Sequence, residues 1–176
     1  MMDNKIILIS GEIVSLSEWQ TANNLGPDKF GNHFSFNDKK LVAFQPFTYA
    51  EPTLLLVDLF REEKGSAVNI NSGFRTSSKQ QSLIAEGYRA SSFSPHEVGI
   101  ALDVDTLSWK QTVEDVKTIM MIAKKLGFKI RVGYKDYWTT KKQTFFHFDT
   151  APMYYAKGKP FYKQRHPIPW EYEQTW

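Results

Sequence analysis

Cysteine is absent from the 176-residue sequence, and this absence limits the metal sites and cross-links that the chain can form. Without thiols there is no disulfide framework and no thiolate metal site. Any metal ion must therefore be bound through nitrogen and oxygen atoms, which leaves the four histidines and the 19 acidic residues as candidate ligands.

The sequence also lacks a strong excess of charge of one sign, because its formal net charge is only +3. Proteins that bind nucleic acid usually concentrate basic residues on one surface or tail. The lysines and arginines here are instead spread along the chain. We therefore predict no nucleic-acid partner.

Long apolar runs are missing as well. The run Ile6-Ile7-Leu8-Ile9 is shorter than the apolar region of an export signal, which needs about 7–15 residues. No run approaches the roughly 20 residues of a transmembrane helix. We expect synthesis in the cytoplasm without a signal peptide, and no membrane insertion.

What is present is a globular composition, with 41% hydrophobic and 15% aromatic residues. We predict one domain over residues 1–176, favoured as a monomer, with an N-terminal extension (1–45) and a C-terminal tail (153–176) packed on a core at about 50–152. Periodicity and capping signals predict a short helix after Ser15, helices over 52–64, 77–89 and 110–126, and strands over 5–10, 68–74, 100–107, 129–134 and 145–151. This order predicts the α+β class, with a small, mainly antiparallel sheet flanked by helices.

Residue alternation in the predicted strands separates apolar from polar side chains. Asp103 has the opposite parity to the apolar residues around it, and His147 and Asp149 have the opposite parity to the phenylalanines between and beside them. Arg75 falls on the polar parity of the strand predicted near residue 70. If these strands are neighbours, their polar side chains converge on an open face away from the core.

His96 lies shortly before Asp103 and completes a candidate metal site with His147. Two imidazoles and one carboxylate form a three-ligand zinc site with an open fourth position, which is the arrangement of a catalytic zinc. We expect the small residues Gly99 and Ala101 to leave room for the metal and a substrate. The pair His96-Glu97 is not part of the helical HExxH zinc motif, because residue 100 is isoleucine.

Three segments resemble the D-alanyl-D-alanine peptidase family of zinc enzymes, which is related to the Hedgehog signalling domain. They are Ser72-Gly-Phe-Arg75, Ser94-Pro-His-Glu-Val-Gly-Ile-Ala-Leu-Asp103 and Phe146-His-Phe-Asp-Thr150. The resemblance covers roughly residues 50–152. It implies a Hedgehog-like fold and one Zn²⁺ per chain bound by His96, Asp103 and His147. It also implies that Arg75 contacts the carboxylate or the developing oxyanion of the substrate.

The general base departs from the family pattern, because many family members carry its carboxylate three residues before the last histidine, where this chain has Thr144. The form His-x-Asp-Thr-x-Pro resembles the branch that cuts peptidoglycan cross-links. Asp149 is our first candidate for the base and Glu97 the second, while Asp149 has the alternative role of orienting a ligand imidazole.

Substrate binding is assigned to Arg75, Ser94 and Tyr134. Arg75 has the alternative of pairing with a nearby acid. Tyr134 lies at the start of a predicted loop, which either forms one wall of the substrate cleft or packs at the rim of that cleft.

Three functions follow from this pattern. The first is zinc-dependent hydrolysis of a peptide bond in peptidoglycan stem peptides or cross-links, by an endopeptidase or D,D-carboxypeptidase. A phage or prophage lysin fits this function, since such a chain reaches the wall by lysis or non-standard export. The second is a non-catalytic zinc-binding module, and the third is a cytoplasmic D-Ala-D-Ala dipeptidase.

Overall fold

The fold is described from a computed structural model, covering residues 3–36, 38–88, 94–141, 143–155 and 173–175. The strands are β1 (Lys5–Ile7), β2 (Ile13–Ser15), β3 (Thr48–Ala50), β4 (Ile70–Ser72), β5 (Ala101–Asp105), β6 (Ile130–Gly133), β7 (Phe145–Asp149) and β8 (Glu173–Thr175). The helices are α1 (Leu16–Ala22), α2 (Glu51–Lys64), α3 (Ser77–Ala85), α4 (Trp109–Leu126), α5 (Lys135–Lys141) and α6 (Ala151–Tyr155), with a 3₁₀ helix at Pro95–Val98. The predicted α+β class is confirmed.

The strands form two sheets. A small sheet has the order β2-β1-β3, with β2 antiparallel and β3 parallel to β1. The larger sheet has the order β4-β5-β7-β6-β8, and its first three pairings are antiparallel while β6 and β8 are parallel. The predicted antiparallel character therefore holds for the part of the larger sheet that carries the motifs.

Helices α2 and α4 pack together, and α4 also packs on β6 and β7. The apolar parity of β5 and β7 is buried as predicted, and Phe60 of α2 meets Phe146 of β7 edge to face at 6.0 Å between ring centroids. Ser108 caps the start of α4. Helix α2 ends at Gly65 and α4 ends at Gly127, and both glycines are in the left-handed conformation.

Several predicted boundaries are wrong for identifiable reasons. The helix expected over 77–89 ends at Ala85, because Gly87 takes a φ of 82° and closes it. The segment after Tyr134, expected to be a loop, is helix α5. Its sequence has weak helix propensity, and the packing of Trp138 on Trp109, with ring centroids 5.9 Å apart, favours the helix instead.

At the ends of the chain, β1 lies within the strand predicted over 5–10, whereas β2 and β8 were not predicted. The N-terminal region contributes β1 and β2 to the small sheet. It also contains α1, which begins at the predicted capping box of Ser15 and Glu18. Most of the tail predicted over 153–176 lies outside the described residues, apart from the end of α6 and β8. No helix in the described ranges is both long and apolar enough to cross a membrane.

Gly99 joins the small sheet to the segment that carries His96. Its φ of 73° lies in the left-handed region, and a Cβ at this position would overlap the carbonyl oxygen of Thr48. Its own carbonyl accepts a hydrogen bond of 2.9 Å from the N–H of Ala50. Glycine is therefore required for close contact with β3, rather than to leave room for a metal as expected from the sequence.

Gly99→Ala should lower the free energy of unfolding by at least about 2 kcal/mol, because it combines left-handed strain with an overlap at Thr48. Gly127→Ala is the matched control, since Gly127 has a similar φ of 70° with no atom within 4 Å of the added Cβ. Chemical denaturation of both variants should show a loss of only about 1 kcal/mol for the control. Equal losses would mean that contact with Thr48 contributes nothing.

Candidate metal centre

The register of the larger sheet places two predicted ligands side by side. Asp103 of β5 is directly opposite His147 of β7, and the next position across the sheet is Gly133 of β6. Directly opposed residues project from the same face of a sheet. The strands that carry Asp103 and His147 are therefore neighbours, and their polar side chains converge as expected for neighbouring strands.

His96 reaches the same place from the 3₁₀ helix before β5. Ser94 and Glu97 form a capping box at the start of this helix, with the Glu97 carboxylate accepting a 3.0 Å hydrogen bond from the Ser94 N–H. The carbonyl of His96 accepts a 3.1 Å hydrogen bond from the N–H of Arg75. These bonds hold the turn against the segment that follows β4.

The three side chains bring one donor atom each into a tight cluster. His96 Nε2 lies 3.2 Å from His147 Nδ1 and 3.3 Å from Asp103 Oδ1, and His147 Nδ1 lies 2.9 Å from that oxygen. Tetrahedral zinc with bonds near 2.0–2.1 Å would separate its ligand atoms by about 3.3 Å. The residues are only 2%, 4% and 5% exposed for His96, Asp103 and His147, so the expected open face is instead buried.

The outer nitrogen of each imidazole is bound to an oxygen acceptor. His96 Nδ1 donates to the Gly73 carbonyl at 2.8 Å, and His147 Nε2 donates to the Asp149 carboxylate at 3.1 Å. With these protons on the outside, each ring in its neutral form turns the lone pair of its other nitrogen toward Asp103. Two nitrogen lone pairs and a carboxylate oxygen then face one another, and this donor set fits a bound cation.

The electrostatics of His147 agree with this fit. Burial by itself lowers the pKa of the His147 imidazole, but its hydrogen bonds to Asp103 and Asp149 outweigh burial and raise the pKa to about 8. Burial likewise opposes ionisation of Asp103, yet the neighbouring imidazoles hold the pKa of its carboxyl well below the ordinary value. The cluster therefore attracts positive charge. The His–Asp–His group is one that can hold a metal ion.

Asp149 is buried on the far side of the His147 ring from the cluster. Its carboxylate is bound by the Arg131 guanidinium, with Nε 3.0 Å from each oxygen and Nη2 2.9 Å from Oδ2, and by the N–H of Ala151 at 3.1 Å. Burial raises the pKa of the Asp149 carboxyl, but the charges and hydrogen bonds of Arg131 and His147 together outweigh burial and lower it. These contacts match the alternative role of orienting a ligand imidazole.

Similarity to known proteins is weak. No protein-family model matches the chain, and no curated protein matches it at a significant level. Among solved structures it is similar to the L-Ala D-Glu endopeptidase ChiX of Serratia marcescens, with 18% sequence identity, a TM-score of 0.48, and coverage of 58% of this chain and 80% of that chain. At this level of similarity the chemistry must be read from the side chains of the site itself.

Arg75 is placed differently from the prediction. Strand β4 ends at Ser72, so Arg75 lies in the following loop and does not belong to the polar parity of a strand. Its Nη2 donates to Asp103 Oδ2 at 2.7 Å, and its Nε donates to Ser72 Oγ at 2.9 Å. The alternative of pairing with a nearby acid matches these contacts, and a contact with substrate stays a prediction.

The remaining predicted residues take structural positions in the described part of the chain. Ser94 and Glu97 cap the 3₁₀ helix, and Tyr134 stacks on Trp109 at the start of α4 with ring centroids 5.6 Å apart. Thr144, at the position where the family resembled in sequence carries a carboxylate, is exposed. Their roles in substrate binding and proton transfer stay predictions.

Arg131 is a residue that the sequence analysis overlooked. It is paired across the sheet with Asp149, and its side chain is mostly buried. A signal was available, because Arg131 lies between Ile130 and Val132 in the predicted strand and so has the polar parity. Only the pairing of β6 with β7 reveals which carboxylate it meets.

Arg131→Met should lower the free energy of unfolding by about 3–5 kcal/mol, because it leaves the buried Asp149 carboxylate without its cation. Denaturant titration should detect this loss in the metal-free protein. Lys124→Met, which removes an exposed lysine from α4, is the control and should change stability by less than about 0.5 kcal/mol. Similar small changes in both variants would mean that the Arg131–Asp149 pair is not a stabilising contact.

Proposed function

We propose that the chain binds one zinc ion through His96, Asp103 and His147 and hydrolyses a peptide bond in bacterial peptidoglycan stem peptides or cross-links. The observation that carries the proposal is the convergence of two imidazole nitrogens and a carboxylate oxygen within 3.3 Å of one another, with the outer nitrogen of each imidazole hydrogen-bonded to a separate acceptor. Zinc suits this set because three-ligand sites of histidine and carboxylate are typical of catalytic zinc. A zinc ion there would polarise a carbonyl and activate water at neutral pH.

The charges around the cluster favour an anionic substrate or transition state. Two carboxylates, Asp103 and Asp149, are paired with two guanidiniums, Arg75 and Arg131, so these four groups balance one another. A divalent cation therefore adds positive charge that no side chain of this group neutralises. Such a site stabilises a developing oxyanion and attracts carboxylates, which peptidoglycan stem peptides carry.

We propose the orienting role for Asp149 in place of the general-base role. Its two oxygens already accept hydrogen bonds from Arg131, His147 and Ala151, and the residue is 0% exposed. It binds the outer nitrogen of His147, so the imidazole ring separates it from the cluster. By keeping the proton on Nε2, Asp149 directs the Nδ1 lone pair of His147 toward the metal.

The peptidoglycan substrate is proposed from the motif resemblance. The segment from Ser94 to Asp103 matches the family pattern at five separated positions, and the stretch from His147 to Pro152 resembles the branch that cuts cross-links. Endopeptidase and D,D-carboxypeptidase activities both fit this assignment, and a lysin released by cell lysis fits the route to the wall. We keep the monomer as the expected oligomeric state.

A non-catalytic zinc module is the second candidate, and one observation favours it. Glu97 and Asp149, the two predicted bases, both use their carboxylates in structural hydrogen bonds, and residue 144 is threonine. If no proton acceptor is available, the site would bind zinc without turnover.

Elemental analysis tests the metal site first. We expect about one zinc per chain in the wild-type protein and loss of that zinc in His96→Ala and His147→Ala, because each removes one of three ligands. His33→Ala is the control, since His33 is exposed and outside the cluster. Full zinc content in His147→Ala would exclude His147 as a ligand.

The zinc-loaded protein should then be incubated with purified muropeptides and, separately, with D-Ala-D-Ala. Mass spectrometry of shortened stem peptides or opened cross-links would support the proposed activity. Cleavage of the dipeptide alone would favour the cytoplasmic dipeptidase. Zinc binding with no product in either assay would favour the non-catalytic module.

Asp149→Asn separates the two roles of this residue. If Asp149 orients His147, the substitution should weaken zinc binding by about 10–100-fold, measured by competition with a chelator. If Asp149 is instead the general base, zinc affinity should hold while turnover of the zinc-loaded protein falls by about 100-fold or more. Glu97→Gln, assayed in parallel, tests the other candidate.

A further inference from the structure

The peptide group that joins Gly73 to Phe74 lies between the His–Asp–His cluster and a buried tyrosine of the small sheet. Its carbonyl accepts the 2.8 Å hydrogen bond from His96 Nδ1, and its N–H donates a 2.7 Å hydrogen bond to the hydroxyl oxygen of Tyr49. That hydroxyl in turn donates to the carbonyl of Leu41 at 2.8 Å. One rigid peptide plane thus connects Tyr49 with His96.

The carbonyl groups of Leu41 and Gly73 determine the direction of each hydrogen bond in this series from His96 to Leu41. The Leu41 carbonyl only accepts, so the Tyr49 hydroxyl donates to it and is left to accept from the Phe74 N–H. The Gly73 carbonyl also only accepts, so His96 must carry its proton on Nδ1. The lone pair of His96 Nε2 then points toward Asp103 and His147. Hydrogen bonds that run in one direction polarise one another.

Tyr49 has little freedom to move. It is 0% exposed, lies in the middle of β3, and its ring packs against Phe47 with centroids 5.6 Å apart. On the other side, Gly73 approaches so closely that a Cβ there would overlap the Tyr49 hydroxyl. The position of the 73–74 peptide therefore depends on that hydroxyl.

We infer that Tyr49 is a positioning residue of the metal site, because its hydroxyl holds the peptide that orients His96. This inference rests on the metal-binding part of the proposed function. It assigns the small sheet a task that the family motifs do not contain, since Tyr49 and its partner Leu41 both precede the first motif. In the described residues, the hydroxyl of Tyr49 is hydrogen-bonded to Leu41 and Phe74 and to none of the three proposed ligands, so Tyr49 acts through the peptide.

Tyr49→Phe tests the inference because it removes the hydroxyl and keeps the ring. We expect zinc affinity, measured by chelator competition, to fall by about 10-fold or more, at the lower end of effects seen for outer partners of metal ligands. Tyr154→Phe is the matched control. Tyr154 is also 0% exposed, and its hydroxyl lies 3.4 Å from the carbonyls of Ile7 and Leu8. The control should keep wild-type affinity.

A spectroscopic measurement separates positioning from a general loss of stability. Long-range ¹H–¹⁵N spectra of the zinc-free proteins report which ring nitrogen of His96 carries the proton. We expect the Nδ1–H form in the wild-type protein and in Tyr154→Phe, and a larger Nε2–H fraction in Tyr49→Phe.

Each outcome decides a different point. Unchanged zinc affinity and tautomer in a folded Tyr49→Phe protein would overturn the inference. If Tyr49→Phe does not fold, the wild-type spectrum alone is decisive, because an Nε2–H form of His96 contradicts the hydrogen-bond chain. A wild-type protein that binds no zinc would overturn the proposed function, whereas the tautomer measurement would still test the link between Tyr49 and His96.

Discussion

The described site depends on keeping two imidazole nitrogens and one carboxylate oxygen within 3.3 Å of one another in a buried position. Lone pairs held so close repel unless a cation lies between them, and burial removes the water that would otherwise weaken the repulsion. Each donor therefore needs a restraint on its outer side. Gly73 supplies it for His96, Asp149 for His147 and Arg75 for Asp103.

The two imidazoles are restrained in different ways. His147 is held by an ionised carboxylate that itself needs Arg131, so its orientation depends on a buried ion pair. His96 is held by a neutral peptide group backed by Tyr49, so its orientation depends on chain packing. A buried ion pair contributes to stability only when both partners are present. A peptide group carries no charge but must be fixed by close contacts, and Gly73 and Gly99 allow those contacts with β3.

The small N-terminal sheet therefore helps to position the His–Asp–His cluster. Strand β3 supplies Tyr49 behind His96 and the backbone against which Gly99 packs. Glu51, at the start of α2, accepts hydrogen bonds from the Trp19 ring and the Ile9 N–H, which links α2 to α1 and to the segment between β1 and β2. A segment that contributes no candidate metal-ligating side chain can in this way determine the orientation of a side chain that is one.

The sequence by itself determined the class of the fold, the strands that carry Asp103 and His147, and the identity of the three clustered side chains. Alternation was sufficient for Asp103 and His147, because a strand with one face on a core divides its residues by polarity, as β5 and β7 do. His96 was identified by its place before β5 and by the motif resemblance. The tertiary structure alone decided that the polar face is buried, that Asp149 meets Arg131, and that Arg75 binds Asp103. It also decided that Tyr49 stands behind His96. These contacts join residues far apart in sequence, and local patterns describe which side a residue faces but not what lies opposite it.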